Sequence, residues 1–99
     1  MSRILIVDDD FTIKLELEEM LTARGYDIVG TAENGEQAIE MALGLIPDLI
    51  LMDIVMPGGL DGISAAEKIK QESDSAIVFI TGYGDPEYVE RAKKVEPLG

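Results

Sequence analysis

Asp48-Leu-Ile-Leu-Met-Asp53-Ile-Val-Met-Pro57-Gly58-Gly59 is the stretch that decides how this chain folds. Leu49 to Met52 run without a break into one carboxylate, and a Pro-Gly-Gly turn closes the segment. An unbroken apolar run between turn signals predicts a strand covered on both faces, as in a parallel sheet sandwiched by helices. In such sheets ligands gather in the crevice at the carboxyl ends of the strands, and Asp53 falls at that end. A carboxylate there is a metal ligand, a nucleophile, or a polar cap where the chain leaves the core. The remaining strands decide among the three.

Upstream, Arg3-Ile-Leu-Ile-Val7 is a second apolar run, ended by Asp8-Asp-Asp10. Phe11 to Arg24 has helical spacing, with Ile13, Leu17, Met20 and Leu21 on one side and Lys14, Glu16, Glu18 and Glu19 elsewhere. Asp10 is placed to cap that helix and Gly25 to stop it. Tyr26 to Ala32 is a weaker strand, interrupted by Asp27 and Gly30, and belongs at a sheet edge. Asn34-Gly35 opens a second helix with Ala38, Ile39, Ala42 and Leu43 inward, and Pro47 closes it.

Downstream, Asp61 is placed to cap a third helix carrying Ile63, Ala66 and Ile69 inward. Ala76 to Ile80 reads as a third buried strand, ending at Thr81-Gly82. Asp85-Pro86-Glu87 starts a fourth helix that runs to about Val95. The order βαβαβαβα predicts an α/β domain with right-handed crossovers, occupying residues 1–99 as one unit. Val78-Phe79-Ile80 is apolar enough to want a further strand and helix beyond it, yet only Pro97-Leu98-Gly99 follow the last helix. The expectation is a domain incomplete at its C-terminus, with the fourth strand's edge bare.

Composition narrows the chemistry. The 99 residues hold 20 acidic and 8 basic side chains, a formal net charge of −12, which argues against direct binding to nucleic acid or anionic lipid. Basic partners and divalent cations fit that balance. No cysteine is present, so disulfides, zinc thiolates and thiol nucleophiles are excluded; no histidine is present either, which removes the commonest general base. The N-terminus is neither a signal peptide nor a membrane span, and a cytoplasmic location is expected.

Parallel neighbouring strands would bring Asp8 and Asp9 close to Asp53, with Thr81 on the same rim. Three carboxylates in one crevice repel and raise one another's pKa, and a hard cation such as Mg²⁺ relieves this with oxygen ligands. An aspartate beside Mg²⁺ can attack a phosphoryl group, a hydroxyl such as Thr81 can donate to an equatorial oxygen, and Gly82 leaves room for that group. Taken alone, each residue also has a plainer reading. Asp8 and Asp9 could be polar strand ends, Asp10 a cap, Thr81 a β-former, and Gly58-Gly59 a turn.

Ile4-Leu-Ile-Val-Asp-Asp-Asp10, Leu51-Met-Asp53 with Met56-Pro57, Asp61-Gly62, and Phe79-Ile-Thr81-Gly82, in that order and at those separations, resemble the receiver domain of two-component response regulators. The resemblance covers nearly all of the chain. It implies a flavodoxin-like (CheY-like) doubly wound parallel sheet of order 2-1-3-4(-5), an order given for this family among general fold rules. It also implies Asp53 as phosphoacceptor, Asp9 as a direct Mg²⁺ ligand, Asp8 as a ligand largely through water, and the Val55 carbonyl as a further ligand. Thr81 would be the switch hydroxyl and Gly82 part of the phosphoryl pocket. A phosphohistidine on a separate histidine kinase would be the donor, and an output domain in the parent protein would receive the signal. The family's fifth-strand Lys and switch aromatic would lie past Gly99, and the Pro57 to Asp61 loop is one residue longer than its commonest form.

Two other readings compete. Asp8-Asp-Asp10-Phe-Thr12 also matches the nucleophile motif of haloacid-dehalogenase-like phosphatases, with Asp8 as nucleophile and Asp10 as general acid. A non-phosphorylated interaction module of the same fold would instead pair through the bare strand edge, as a homodimer or by strand exchange.

Overall fold

The computed structural model describes residues 2–56 and 58–80. Four strands, β1 (Arg3–Val7), β2 (Asp27–Ala32), β3 (Leu49–Asp53) and β4 (Ala76–Ile80), alternate with helices α1 (Phe11–Ala23), α2 (Gly35–Leu45) and α3 (Gly62–Glu72). All strand pairs are parallel and the sheet order is β2-β1-β3-β4. With right-handed crossovers, that order puts α1 on one face and α2 with α3 on the other. The helix expected from Asp85 to about Val95, together with Thr81 and Gly82, lies outside the described residues.

Alternation along the strands divides the core in two. Leu5, Val7, Ile50, Met52 and Ile77 meet Ala38, Ala42, Ile63, Ala66 and Ile69 in one fully buried cluster under α2 and α3. Small alanines on both helices let them approach each other and the sheet. Ile4 and Ile6 point to the α1 face and are equally buried, whereas Leu49 and Leu51 are only half-buried. The central strand is therefore sealed on one face and partly open on the other. In β4 only Ile77 is fully buried, because among the described residues this strand has a neighbour, β3, on one side alone.

The expected caps form. Asp10 Oδ1 accepts from the amides of Thr12 (2.9 Å) and Ile13 (3.2 Å), Asn34 Oδ1 from Gln37 (2.9 Å), and Asp61 Oδ1 from Ser64 (2.8 Å). Gly25, just past α1, has φ +91°, a left-handed geometry that suits glycine. The strand with Asp27 and Gly30 does lie at the edge of the sheet, and its pairing with β1 slips by one residue there, from Ile4↔Ile28 to Leu5↔Gly30. Bulges of this kind are common on sheet edges.

The buried side of α1 is not the expected one. Ile13 and Met20 are 39% and 46% exposed, while Lys14 is only 6% exposed, with Leu17 and Leu21 half-buried beside it. Lys14, Leu17 and Leu21 follow i, i+3, i+7 spacing, so they share a face as well as the apolar set does. The lysine's carbon stem packs inward and its ammonium ends on Glu33, 3.2 Å away. Hydrophobicity alone therefore placed Leu17 and Leu21 on the inner side but turned Ile13 and Met20 inward in place of Lys14.

Candidate functional site

Register carries the carboxylates together. Val7 pairs with Met52 and Asp53 with Ile80, so Asp8, one step past Val7, comes out of the sheet beside Asp53. The amide of Asp8 still donates to Ala32 O (3.0 Å), which extends β1's pairing with β2 by one residue and holds the aspartate at the rim. Asp8 Oδ1 in turn accepts from the amide of Asp10 (2.8 Å), so the turn into α1 is built on that side chain.

Asp8, Asp9 and Asp53 each offer a carboxylate oxygen within 4.8 Å of the others. They line a crevice of about 710 Å³ with Asp10, Ile13, Val55 and Ile80. Asp8 is buried, Asp53 half-buried and Asp9 exposed, so the cluster grades from core to solvent. All donors are hard oxygens with an open side toward water, the set Mg²⁺ takes in preference to softer metals.

Electrostatics follow from that placement. The Asp53 carboxyl is pushed up to about 6, first by burial and then by the charges of Asp8 and Asp9; hydrogen bonding from the Val55 and Ile54 amides pulls the other way. Asp8 is also raised, again chiefly by burial, with repulsion from Asp9 and Asp10 adding to it. The Asp10 amide and the Lys14 charge oppose the rise. Mutual repulsion, the cause read from the sequence, thus acts here but is second to loss of water around the carboxylates.

The turn after β3 explains three glycines. Gly62 N donates to Ile54 O (2.8 Å), and a Cβ at Gly62 would run into the carbonyl of Asp53. The first turn of α3 therefore rests directly on the backbone that presents Asp53. Gly58 has φ +95°, which a side chain would strain, and a Cβ at Gly35 would collide with Leu60 O, so this loop seats against the start of α2. The sequence signals for Gly62 were its place after the Asp61 cap and the Asp61-Gly62 pair itself; its contact with Asp53 was not foreseen.

Thr81 and Gly82 follow Ile80 in sequence and lie outside the described residues. Another depression, of about 630 Å³, opens at the opposite end of the sheet near Ile46, Asp48, Lys70, Ser73 and Ser75. Two of its polar groups are engaged in the scaffold: Asp48 Oδ2 accepts from the Arg3 amide (2.8 Å), and Ser75 Oγ donates to Pro47 O.

The sequence profile of the response regulator receiver domain matches residues 4–98. This chain belongs to that family. The receiver is 43% identical over 91 residues to the transcriptional regulatory protein PdtaR of Mycobacterium tuberculosis, covering 92% of this chain and 44% of that protein. It is 40% identical over 88 residues to the chemotaxis protein CheY of Bacillus subtilis, covering 88% of this chain and 72% of that one. The receiver thus spans less than half of the PdtaR length. In structure it resembles the signal receiver domain of a modulated diguanylate cyclase from Desulfovibrio desulfuricans, with TM-score 0.93 and 38% identity over 98% of this chain and 77% of the other. The response regulator domain of Thermotoga maritima CheB superposes with TM-score 0.89 at 28% identity, covering 99% of this chain and 75% of that one. No helix among the described residues is long and apolar enough to cross a membrane.

Proposed function

We propose that Asp53 accepts a phosphoryl group from a histidine kinase, in a reaction that needs Mg²⁺, and that residues 1–99 act as one receiver unit. The observation that carries this reading is the approach of Asp8, Asp9 and Asp53 to within 4.8 Å in a crevice open to solvent. Asp8, Asp9, Asp53 and the Val55 carbonyl are the groups that would hold the cation. When bound, Mg²⁺ would neutralise charge on the oxygens of the transferring phosphoryl group.

The chain's own residues supply the rest. With its carboxyl at about 6, Asp53 is mostly ionised at neutral pH, and its limited exposure leaves the attacking oxygen less hydrated than a surface carboxylate. That oxygen attacks phosphorus; the P–N bond of the donor phosphohistidine breaks, and its electron pair stays on the imidazole. An acyl phosphate on Asp53 results. Gly62 and the Val55 and Ile54 amides hold the Asp53 backbone and carboxylate in place during transfer. Thr81, next after the residue paired with Asp53, would donate to a phosphoryl oxygen and move toward it, and Gly82 would leave the space. This displacement would relay the signal to an output domain or a target protein.

The phosphatase-like alternative fares worse on geometry. Asp10, its general acid, is occupied as the cap of α1, and Asp8, its nucleophile, is 3% exposed. Intact-mass spectrometry after incubation with a small acyl phosphate and Mg²⁺ tests the choice. One added phosphoryl group that disappears in Asp53→Ala is the expected result. Modification that survives Asp53→Ala and is lost in Asp8→Ala would overturn it.

A further inference from the structure

Exposed apolar side chains are common on helices, and single ones call for no explanation. Phe11, Ile13, Leu15 and Met20 of α1 are all exposed, but of these four only Ile13 lines the carboxylate crevice. Val55, equally exposed at 39%, and the half-buried Ile80 are the other apolar groups of that lining. Ile13 is also tied to the cluster through its backbone. Its amide donates to Asp10 Oδ1 at 3.2 Å, and the Asp10 amide donates to Asp8 Oδ1 at 2.8 Å. Within a helix an isoleucine keeps essentially one χ1 rotamer, so Ile13 is a fixed wall of the crevice and not a mobile flap.

We infer that Ile13 is a water-excluding residue that sets the lifetime of the phosphoryl group on Asp53. This rests on the phosphoacceptor reading above. Loss of that group is a hydrolysis: a water oxygen bonds to phosphorus, the P–O bond to the Asp53 carboxyl breaks, and its electron pair returns to the carboxylate. One water proton stays on the phosphate and the other passes to solvent. The displacement is in line, so the water arrives from the side opposite the Asp53 oxygen, which is the open side of the crevice. Ile13 and Val55 are lining groups that reach solvent, and they bound that opening from two elements, α1 and the turn after β3. Aliphatic carbon there takes up the space of a water and offers it no hydrogen bond. Val55 belongs to the turn that offers a cation ligand, so Ile13 is the wall that can be altered without touching the site's oxygen donors.

The test is decay of the added phosphoryl group in the 99-residue chain, followed by intact mass after loading with a small acyl phosphate and Mg²⁺ and removal of the donor. Ile13→Ala should hydrolyse faster by about threefold to tenfold, and Ile13→Ser by at least as much, since its hydroxyl can also hold a water. Ile13→Leu, which keeps the volume, should stay within about twofold of wild type. Leu15→Ala, at an exposed position of the same helix outside the crevice, should leave the rate unchanged. Mn²⁺ affinity, read from the free-ion EPR signal, should match wild type in all four variants.

If Ile13→Ala and Ile13→Ser fold by circular dichroism yet decay at the wild-type rate or slower, the water-excluding role is overturned. Acceleration shared by Ile13→Leu or Leu15→Ala, or accompanied by altered Mn²⁺ affinity, overturns it as well, because it would reflect a disturbed helix or cation site. A wild-type chain that takes up no phosphoryl group instead overturns the phosphoacceptor reading, a distinct result.

Discussion

Replacing Asp53 by Asn should stabilise the fold in the absence of divalent cations, because the native carboxylate is held where ionisation is unfavourable. Its carboxyl rises from 3.8 to about 6 on folding. A displacement of that size corresponds to about 3 kcal/mol, which water in the open crevice screens to about 1–2 kcal/mol. The sign follows from proton binding. Below about pH 4 both folded and unfolded chains hold the proton and no penalty exists. Between there and about pH 6 the unfolded chain ionises first and binds fewer protons, so stability falls as pH rises; above that window the loss is complete. Asn cannot ionise, so the variant escapes the loss. Urea unfolding followed by far-UV circular dichroism, with chelator present, should show Asp53→Asn more stable by about 1–2 kcal/mol near neutral pH, and by about half as much near pH 5. Saturating Mg²⁺ should reverse the order by stabilising wild type selectively. A variant less stable than wild type without cations, or a gap that does not narrow in acid, would refute a raised Asp53 pKa in the folded chain.

Other expectations test the scaffold around that carboxylate. Gly62→Ala should cost about 1–3 kcal/mol in urea unfolding, because the new methyl meets the Asp53 carbonyl, and should slow phosphoryl incorporation measured by intact mass even where the variant is folded. Asp61→Ala removes the acceptor for the Ser64 amide and should cost about 1 kcal/mol in the same unfolding experiment, with a smaller effect on the chemical step. Ile6→Ala, at a fully buried position on the α1 face of β1, should cost about 2–5 kcal/mol by the same assay. A loss below about 1 kcal/mol there would mean that α1 does not seal this face.

Much of the fold was legible because local signals agreed. The apolar runs Ile4 to Val7 and Leu49 to Met52, the three caps at Asp10, Asn34 and Asp61, and the stop at Gly25 are properties of neighbouring residues, and each appears where the chain's pattern places it. The Asp8, Asp9 and Asp53 cluster was legible too, since parallel strands of known order must deliver their carboxyl ends to one rim. What depended on distance in space was not. Leu49 and Ile50 are equally apolar neighbours, yet one is half-buried and the other sealed, because the two faces of the sheet are covered differently. Lys14 looked like solvent-facing charge and Ile13 like core, but the helix rotates to bring the lysine to Glu33, nineteen residues away in sequence. The sequence by itself determined the element order and which residue types meet at the strand ends. Only the tertiary structure decided how α1 is turned, why glycine is required at 62, and that desolvation outweighs repulsion at Asp53, since packing and loss of water arise between segments that the linear pattern keeps apart.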